Sequence, residues 1–143
     1  MIAKKIAKIK AAGFDPIIGP PTNYNQVICE LAMLETDGYP LIPDDYIDFL
    51  LNIGNGFAWN GAVLYGVLED APVPNSFFQM NIYDYNERWK TYEAFAGKLI
   101  LGHRDDDLLV YNATEKVYEI VDRVGKDALE TYPDFESIFT KEI

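Results

Sequence analysis

The chain has 143 residues, a length sufficient to bury a core. Of these, 49% are apolar and 14% aromatic, a composition too apolar for a disordered protein. Twelve Lys and Arg against 23 Asp and Glu leave a net charge of −11, so the surface repels nucleic acid and anionic lipid and attracts basic partners. The lone cysteine, Cys29, excludes an internal disulfide and a thiolate zinc cluster. No apolar run reaches the roughly 20 residues that span a bilayer, and lysines interrupt the N-terminus where a secretory signal is apolar. We therefore expect a cytoplasmic protein folded as one domain over residues 1–143.

Three helices are predicted before the first strand. An apolar stripe at Ile2, Ile6 and Ile9 indicates the first helix, which should end near Gly13. The second begins at an asparagine cap, at position 23 or 25, and ends near residue 35; its predicted inner face is Val27, Ile28, Leu31 and Leu34. Cys29 lies off that stripe and is interpreted as a small, half-buried filler. Residues 15–23, which contain three prolines, are predicted to be an irregular connection between these helices.

The third helix opens a segment, residues 43–66, that carries the clearest signals in the chain. Its apolar positions recur at i, i+3, i+4 and i+7, namely Tyr46, Phe49, Leu50 and Ile53. Gly54 follows, where a left-handed cap residue is expected. Asn55-Gly56 and Asn60-Gly61 supply turn chemistry on either side of Trp59, and residues 62–68 are predicted to be a buried strand.

The second half of the chain is predicted to be a loop, a helix, three strands and a last helix. Residues 69–75 are the loop, and residues 81–93 are a helix with an aromatic face formed by Ile82, Tyr85, Trp89 and Tyr92. The runs 98–103, 107–112 and 116–123 are rich in Leu, Val, Ile and Tyr and are separated by short turns, which indicates an antiparallel meander. Phe135, Ile138 and Phe139 mark the last helix, capped by Asp134 or Thr131. This order predicts an α+β fold with a mostly antiparallel sheet packed against N-terminal and C-terminal helices.

Catalytic and metal-binding templates are missing from the sequence. It has no phosphate loop, no nucleophile elbow and no HExxH pair. The single histidine, His103, is interpreted as a surface or hairpin-tip residue. Asp105, Asp106 and Asp107 invite a calcium interpretation, but the alternating spacing of a calcium loop is absent and a strand follows at once. We expect no enzyme activity, no cofactor and no metal.

Residues 41–66 resemble the signature of the SUKH superfamily, which includes fungal cell-wall-synthesis regulators and bacterial YrhA-like proteins. The matching positions are Pro43, Asp45, Tyr46, Phe49, Leu50, Asn55, Gly56, Trp59, Gly61, Leu64, Tyr65 and Gly66. Weaker similarity continues to the C-terminus through the strands and the aromatic last helix. The resemblance implies an α+β fold without catalysis. It further implies an immunity protein that binds and neutralises a toxin domain, often a nuclease.

Three functional hypotheses follow, and all of them place the protein in the cell interior. The first is an immunity protein that occludes a basic, nuclease-type toxin domain; the charge of −11 suits such a partner. The second is a regulatory interaction module that binds an endogenous protein. The third is a small hydrolase with paired carboxylates. Under the first hypothesis, neither nucleic acid nor membrane is bound directly, and the expected partner-binding residues are Trp59, Asn60, Asp84, Asp105, Asp106 and Asp107.

Overall fold

The computed structural model describes residues 2–69 and 81–143. The helices are α1 (Ile2–Ala11), α2 (Tyr24–Thr36), α3 (Asp44–Asn52), α4 (Ile82–Glu87) and α5 (Phe135–Glu142), with a 3-10 helix at Glu93–Phe95. The strands are β1 (Ile17–Ile18), β2 (Phe57–Trp59), β3 (Ala62–Leu64), β4 (Lys98–Arg104), β5 (Asp107–Asn112), β6 (Val117–Asp122) and β7 (Ala128–Tyr132). All seven lie in one sheet in chain order, and every neighbouring pair is antiparallel. The predicted α+β meander between N-terminal and C-terminal helices is confirmed.

One face of the sheet carries the main core. Apolar side chains of α1, α2, α3 and α5 pack there against alternate residues of β2 to β6, since successive side chains of a strand point to opposite faces. Aromatic rings fill its centre: Phe49 lies 5.3 Å from Phe135, and Phe57 lies 5.3 Å from Phe139. Lys5 of α1 donates to the carbonyl oxygen of Phe139 at 3.3 Å, so the first and last helices are joined.

The opposite face, called here the second face, carries a smaller apolar cluster under α4 and the 3-10 helix. Its buried members are Tyr85, Phe95, Ile100, Leu108, Val110 and Val121. Asn86 fixes α4 to this face, because its side-chain amide donates to the carbonyl oxygen of Ile100 and accepts from the N–H of Ile100, both at 2.8 Å. An ion pair between Lys98 and Glu119, 2.9 Å apart, lies beside the cluster.

The N-terminal half departs from the sequence prediction in two strands. Ile17 and Ile18 form an edge strand paired with Ala58 and Phe57, so the interpretation of residues 15–23 as wholly irregular is wrong. The prolines flank this pair of residues instead of interrupting it, which is where an edge strand tolerates them. A further strand, β2, lies between the two Asn-Gly turns, and the buried run predicted at 62–68 is a strand only at Ala62–Leu64. Two strands, not one, therefore emerge from this segment.

Five other predictions need correction. Gly54 is not left-handed; it is glycine because an added Cβ would lie 2.7 Å from the carbonyl oxygen of Gly19. Cys29 is exposed, not half-buried, and Ile28 of the predicted inner face is largely exposed as well. The helix predicted over 81–93 ends at Glu87, with only turns and the 3-10 helix beyond it. Strand β7 was not predicted, and it includes one of the two candidate caps of α5; Asp134 is the cap that the structure shows. Apart from residue 69, the predicted loop at 69–75 lies outside the described residues.

The residues of the 43–66 signature build this scaffold. Asp45 accepts hydrogen bonds from the Tyr118 hydroxyl and, at 2.8 Å, from the N–H of Phe135, which ties α3 to β6 and to the start of α5. Asn55, only 6% exposed, accepts from the N–H of Val67 at 2.8 Å and donates to its carbonyl oxygen at 2.9 Å. Gly66 leaves room for that asparagine, because an added Cβ would lie 2.1 Å from its Oδ1. Among the described helices, none is long and apolar enough to cross a membrane.

Candidate functional site at one end of the sheet

The hairpin between β2 and β3 places Trp59 and Asn60 at one end of the sheet. Trp59 pairs with Ala62 across a two-residue loop, and both loop residues have positive φ, 53° at Asn60 and 84° at Gly61. This is the type I′ hairpin that an Asn-Gly sequence favours, because its twist matches that of the flanking strands. The turn is thus rigidly specified by its own two residues.

The hairpin between β4 and β5 brings the three consecutive aspartates to the same end. Arg104 pairs with Asp107, which leaves Asp105 and Asp106 as the loop. The N–H of Asp105 donates to the carbonyl oxygen of Gly61 at 2.7 Å, and the Asp105 carboxylate accepts from Arg104 at 2.8 Å. The two hairpin turns are therefore joined by a backbone hydrogen bond, and their side chains share one surface.

We call this surface the turn end and define it as Trp59, Asn60, Asp105, Asp106 and Asp107. Asn60, Asp105 and Asp106 are exposed, whereas Trp59 and Asp107 are half-buried. The indole of Trp59 packs partly against the main core and meets the exposed ring of Phe14 edge-on at 6.0 Å. Because β6 runs parallel to β4 in this meander, the turn between β6 and β7 also lies at this end. An aromatic ring with carboxylates on two joined turns is a surface suited to contacting a protein.

Asp84 does not belong to the turn end. It lies in the first turn of α4, where its N–H donates to the Oδ1 of Asn81 at 2.8 Å. Asn81 in turn bridges to Gly66, five residues along the chain from Gly61. At about 3.3 Å per residue of extended chain, Asp84 is near the opposite end of the sheet. The structure thus brings five of the six predicted residues together and places the sixth apart.

His103 lies two residues before the aspartate turn, but its side chain points to the second face, since its strand partner Leu108 belongs to the cluster there. It is half-buried instead of lying at the surface or the hairpin tip. Burial lowers its pKa, and the neighbouring Arg123 lowers it further. Its Nδ1 has no hydrogen-bond partner in residues 2–69 and 81–143. Burial and Arg123 thus both favour the neutral form of the ring.

An open groove lies between the end of α2 and the segment from α4 to the 3-10 helix, and it contains the carboxylates Glu87 and Glu93. A hydrogen bond from the Tyr39 hydroxyl holds the pKa of Glu87 below its ordinary value, and Lys90 adds an ion pair at 3.3 Å. A general acid at pH 7 needs the opposite shift, so Glu87 is not suited to that role in a hydrolase. Within the described ranges, no group of three His, Cys, Asp or Glu side chains is arranged to hold a metal ion.

The fold and the turn end together define an α+β protein that presents acids and an aromatic ring on joined hairpin turns. No protein-family model matches the chain, and a search of curated proteins finds no relative.

Proposed function

We propose that the protein is a non-catalytic, SUKH-like binding protein of the immunity type, which neutralises a basic, nuclease-type toxin domain by covering it. The observation that carries this proposal is the hydrogen bond between Asp105 and Gly61, which joins the two hairpin turns. It aligns Trp59 with carboxylates on a preorganised surface, so binding would cost little ordering.

Electrostatics supports a basic partner. The chain carries −11 overall, and the exposed carboxylates of the turn end add a local negative field. Complementary charge speeds diffusional encounter and selects against acidic partners, while a central aromatic ring contributes most of the binding free energy. A nuclease uses cations to hold phosphates, so an acidic protein that covers those cations competes directly with the nucleic acid.

The roles of the signature residues support the resemblance to the SUKH superfamily. Asp45 and Asn55 hold separate segments of the fold together, so both act as scaffold. Such residues serve the fold, which leaves the exposed residues of the turn end free to serve binding. A family of neutralising proteins with different targets needs this division of labour.

The test is co-expression of the protein with the toxin encoded beside its gene. We expect the protein to relieve killing and to form a stable complex in size-exclusion chromatography. Asp106→Lys should weaken both effects, because it reverses an exposed charge in the turn end. Glu115→Lys is the matched control, since Glu115 is an equally exposed acid in the turn between β5 and β6, at the other end of the sheet.

Two results would count against the proposal. Unrelieved killing together with no complex would contradict the immunity role, and capture of an endogenous partner of the same cell would then favour the regulatory module. Equal effects of the two lysine variants would show that the turn end is not the binding surface, whatever the protein binds.

A further inference from the structure

A group of cations lies against aromatic rings on the second face, in the turn between β6 and β7 at the same end of the sheet as the turn end. The guanidinium of Arg123 lies 5.9 Å from the ring centroid of Trp89. The ammonium of Lys126 lies 5.8 Å from Trp89 and 4.5 Å from Tyr92. Ring faces attract cations in this way, so the two rings hold both positive groups of the turn between β6 and β7 over one small area.

These cations have no acidic partner in the described chain. Lys98 and Arg104 each form ion pairs with carboxylates, but no ion pair joins Arg123 or Lys126 to an acid of residues 2–69 and 81–143. Among the same residues, Lys126 donates only to the backbone oxygens of Arg123 and Val124, at 3.0 and 3.2 Å. The Nε of Arg123 is buried and has no acceptor there. In a chain with 23 acids, positive charge without a carboxylate is available to an external one.

A third cation and an apolar rim complete the surface. Arg88 is exposed and directly precedes Trp89 in the chain. Val124, in the same turn as Arg123 and Lys126, is 85% exposed. We call Arg88, Trp89, Tyr92, Arg123 and Lys126 the cation–aromatic patch.

We propose that the cation–aromatic patch docks an acidic segment of a partner protein. Carboxylates of that segment would pair with Arg123 and Lys126, and an apolar side chain beside them would cover Val124. Charge complementarity favours a short segment with two or three acids over a polyanion, because Asp122 and Asp127 flank the same turn around Gly125 and the whole chain carries −11. The patch shares no residue with the turn end, although both lie at the same end of the sheet, and the proposal does not depend on the toxin-neutralising function.

The test uses an acetylated, amidated peptide of sequence Gly-Glu-Glu-Val-Glu-Gly as the probe, with the matching glutamine peptide as control. Binding is followed by NMR through the indole N–H signals, which Trp59→Phe assigns, and through the ring signals of the only histidine. We expect saturable shifts at Trp89 and His103 with the glutamate peptide alone. Binding should weaken as the salt concentration rises, since the Debye length falls to about 8 Å at 0.15 M.

Charge-matched variants locate the binding. Arg123→Gln should weaken the glutamate peptide about fivefold, the upper range for an exposed ion pair, and the double variant R123Q/K126Q should abolish the shifts. K8Q/K10Q removes two exposed lysines of α1 and brings the net charge to the same −13, from −11 less two positive charges. It should bind like the wild type, and circular dichroism checks that both double variants are folded.

Three outcomes overturn the proposal. The first is the absence of a saturable shift at Trp89 in the wild-type protein, which needs no folded variant to interpret. The second is equal weakening by the two double variants, which would indicate a general charge effect. The third is a shift at Trp89 with inorganic phosphate or a thymidine oligonucleotide but not with the glutamate peptide, which would assign the patch to phosphate groups.

Discussion

Replacement of Asn55 by alanine should destabilise the protein strongly without touching its candidate binding surfaces. The amide makes two hydrogen bonds with the backbone of Val67, at 2.8 and 2.9 Å, and both residues are buried. Alanine removes both bonds and leaves a buried N–H and a buried carbonyl without their partner. At about 1 to 3 kcal/mol for each unsatisfied group, the free energy of unfolding should fall by roughly 2 to 4 kcal/mol, since part of the loss is recovered by relaxation.

The loss is measured by urea unfolding followed by circular dichroism. Asn52→Ala is the matched control, because Asn52 lies three residues earlier on the exposed side of α3 and its amide bonds only within the helix, at 2.9 Å to the carbonyl oxygen of Asp48. Such a surface change should alter the stability by about 0.5 kcal/mol or less. If the two variants unfold at the same urea concentration, the structural role assigned to Asn55 is wrong.

Three further changes test the scaffold. Gly66→Ala should lower the free energy of unfolding by roughly 1 to 3 kcal/mol through overpacking, because the new methyl group would lie 2.1 Å from the Oδ1 of Asn55. Thermal unfolding measures this loss of stability. Asp134→Ala removes the cap of α5, which accepts from the N–H of Ser137 at 2.7 Å, and should cost about 1 kcal/mol at pH 7. Hydrogen bonds from the side chain and then the N–H of Ser137 lower the pKa of Asp134, so their stabilising effect is present above the unfolded pKa and should vanish as the pH falls through the folded pKa. Burial raises the pKa of Glu30, so the wild type should lose stability as the pH rises from the pKa of Glu30 in the unfolded chain through its pKa in the folded protein. Glu30→Gln should remove this pH dependence, which is measured by urea unfolding at several pH values.

Each of these has an outcome that contradicts it. An alanine at position 66 that melts with the wild type would show that the backbone has room to move. If Asp134→Ala lost as much stability between neutral and acidic pH as the wild type does, protonation of Asp134 would not be the cause of that loss. A pH slope that persists without the Glu30 carboxylate would have to come from another acid.

The strands that could be predicted from the sequence are those with a regular pattern of buried apolar residues. β4, β5 and β6 are long, and helices cover both of their faces, with α4 on the second face. Their sequences are therefore rich in apolar residues, which indicates strands. β7 has no such pattern, because four of its five residues are exposed on both faces. β2 has only three residues between two Asn-Gly turns, and the turn signals on either side outweighed it.

The helix at α4 was predicted too long for a related reason. Ile82, Tyr85, Trp89 and Tyr92 have helical spacing in the sequence, but only the first two lie on the helix. The rings of Trp89 and Tyr92 are placed by the turns that follow, where they pack with each other at 5.5 Å. The helical spacing therefore did not indicate a continuous helix or a common face: Ile82 belongs to the main core, whereas Tyr85 and Trp89 pack at the second face.

The candidate surfaces differ in how far the sequence could predict them. The turn end could be anticipated in part, because a meander places alternate turns at the same end. Asp84 was assigned to it only from its charge and the neighbouring aromatic residues, and neither signal fixes a position in space. The cation–aromatic patch could not be found at all, since the contact between Trp89 and Arg123 joins residues that are far apart in the chain and depends on α4 crossing the second face.

The strand order also sets the expected order of folding. The four strands from β4 to β7 are joined by short turns, so each can pair as soon as its neighbour has formed, at a small cost in loop-closure entropy. The pairing of β1 with β2 must instead close the chain over residues 19–56, and that of β3 with β4 must close it over residues 65–97. We therefore expect a nucleus in the C-terminal hairpins, late docking of the N-terminal edge, and, in hydrogen-exchange experiments, exchange through local opening at β1 well before the amides of β5.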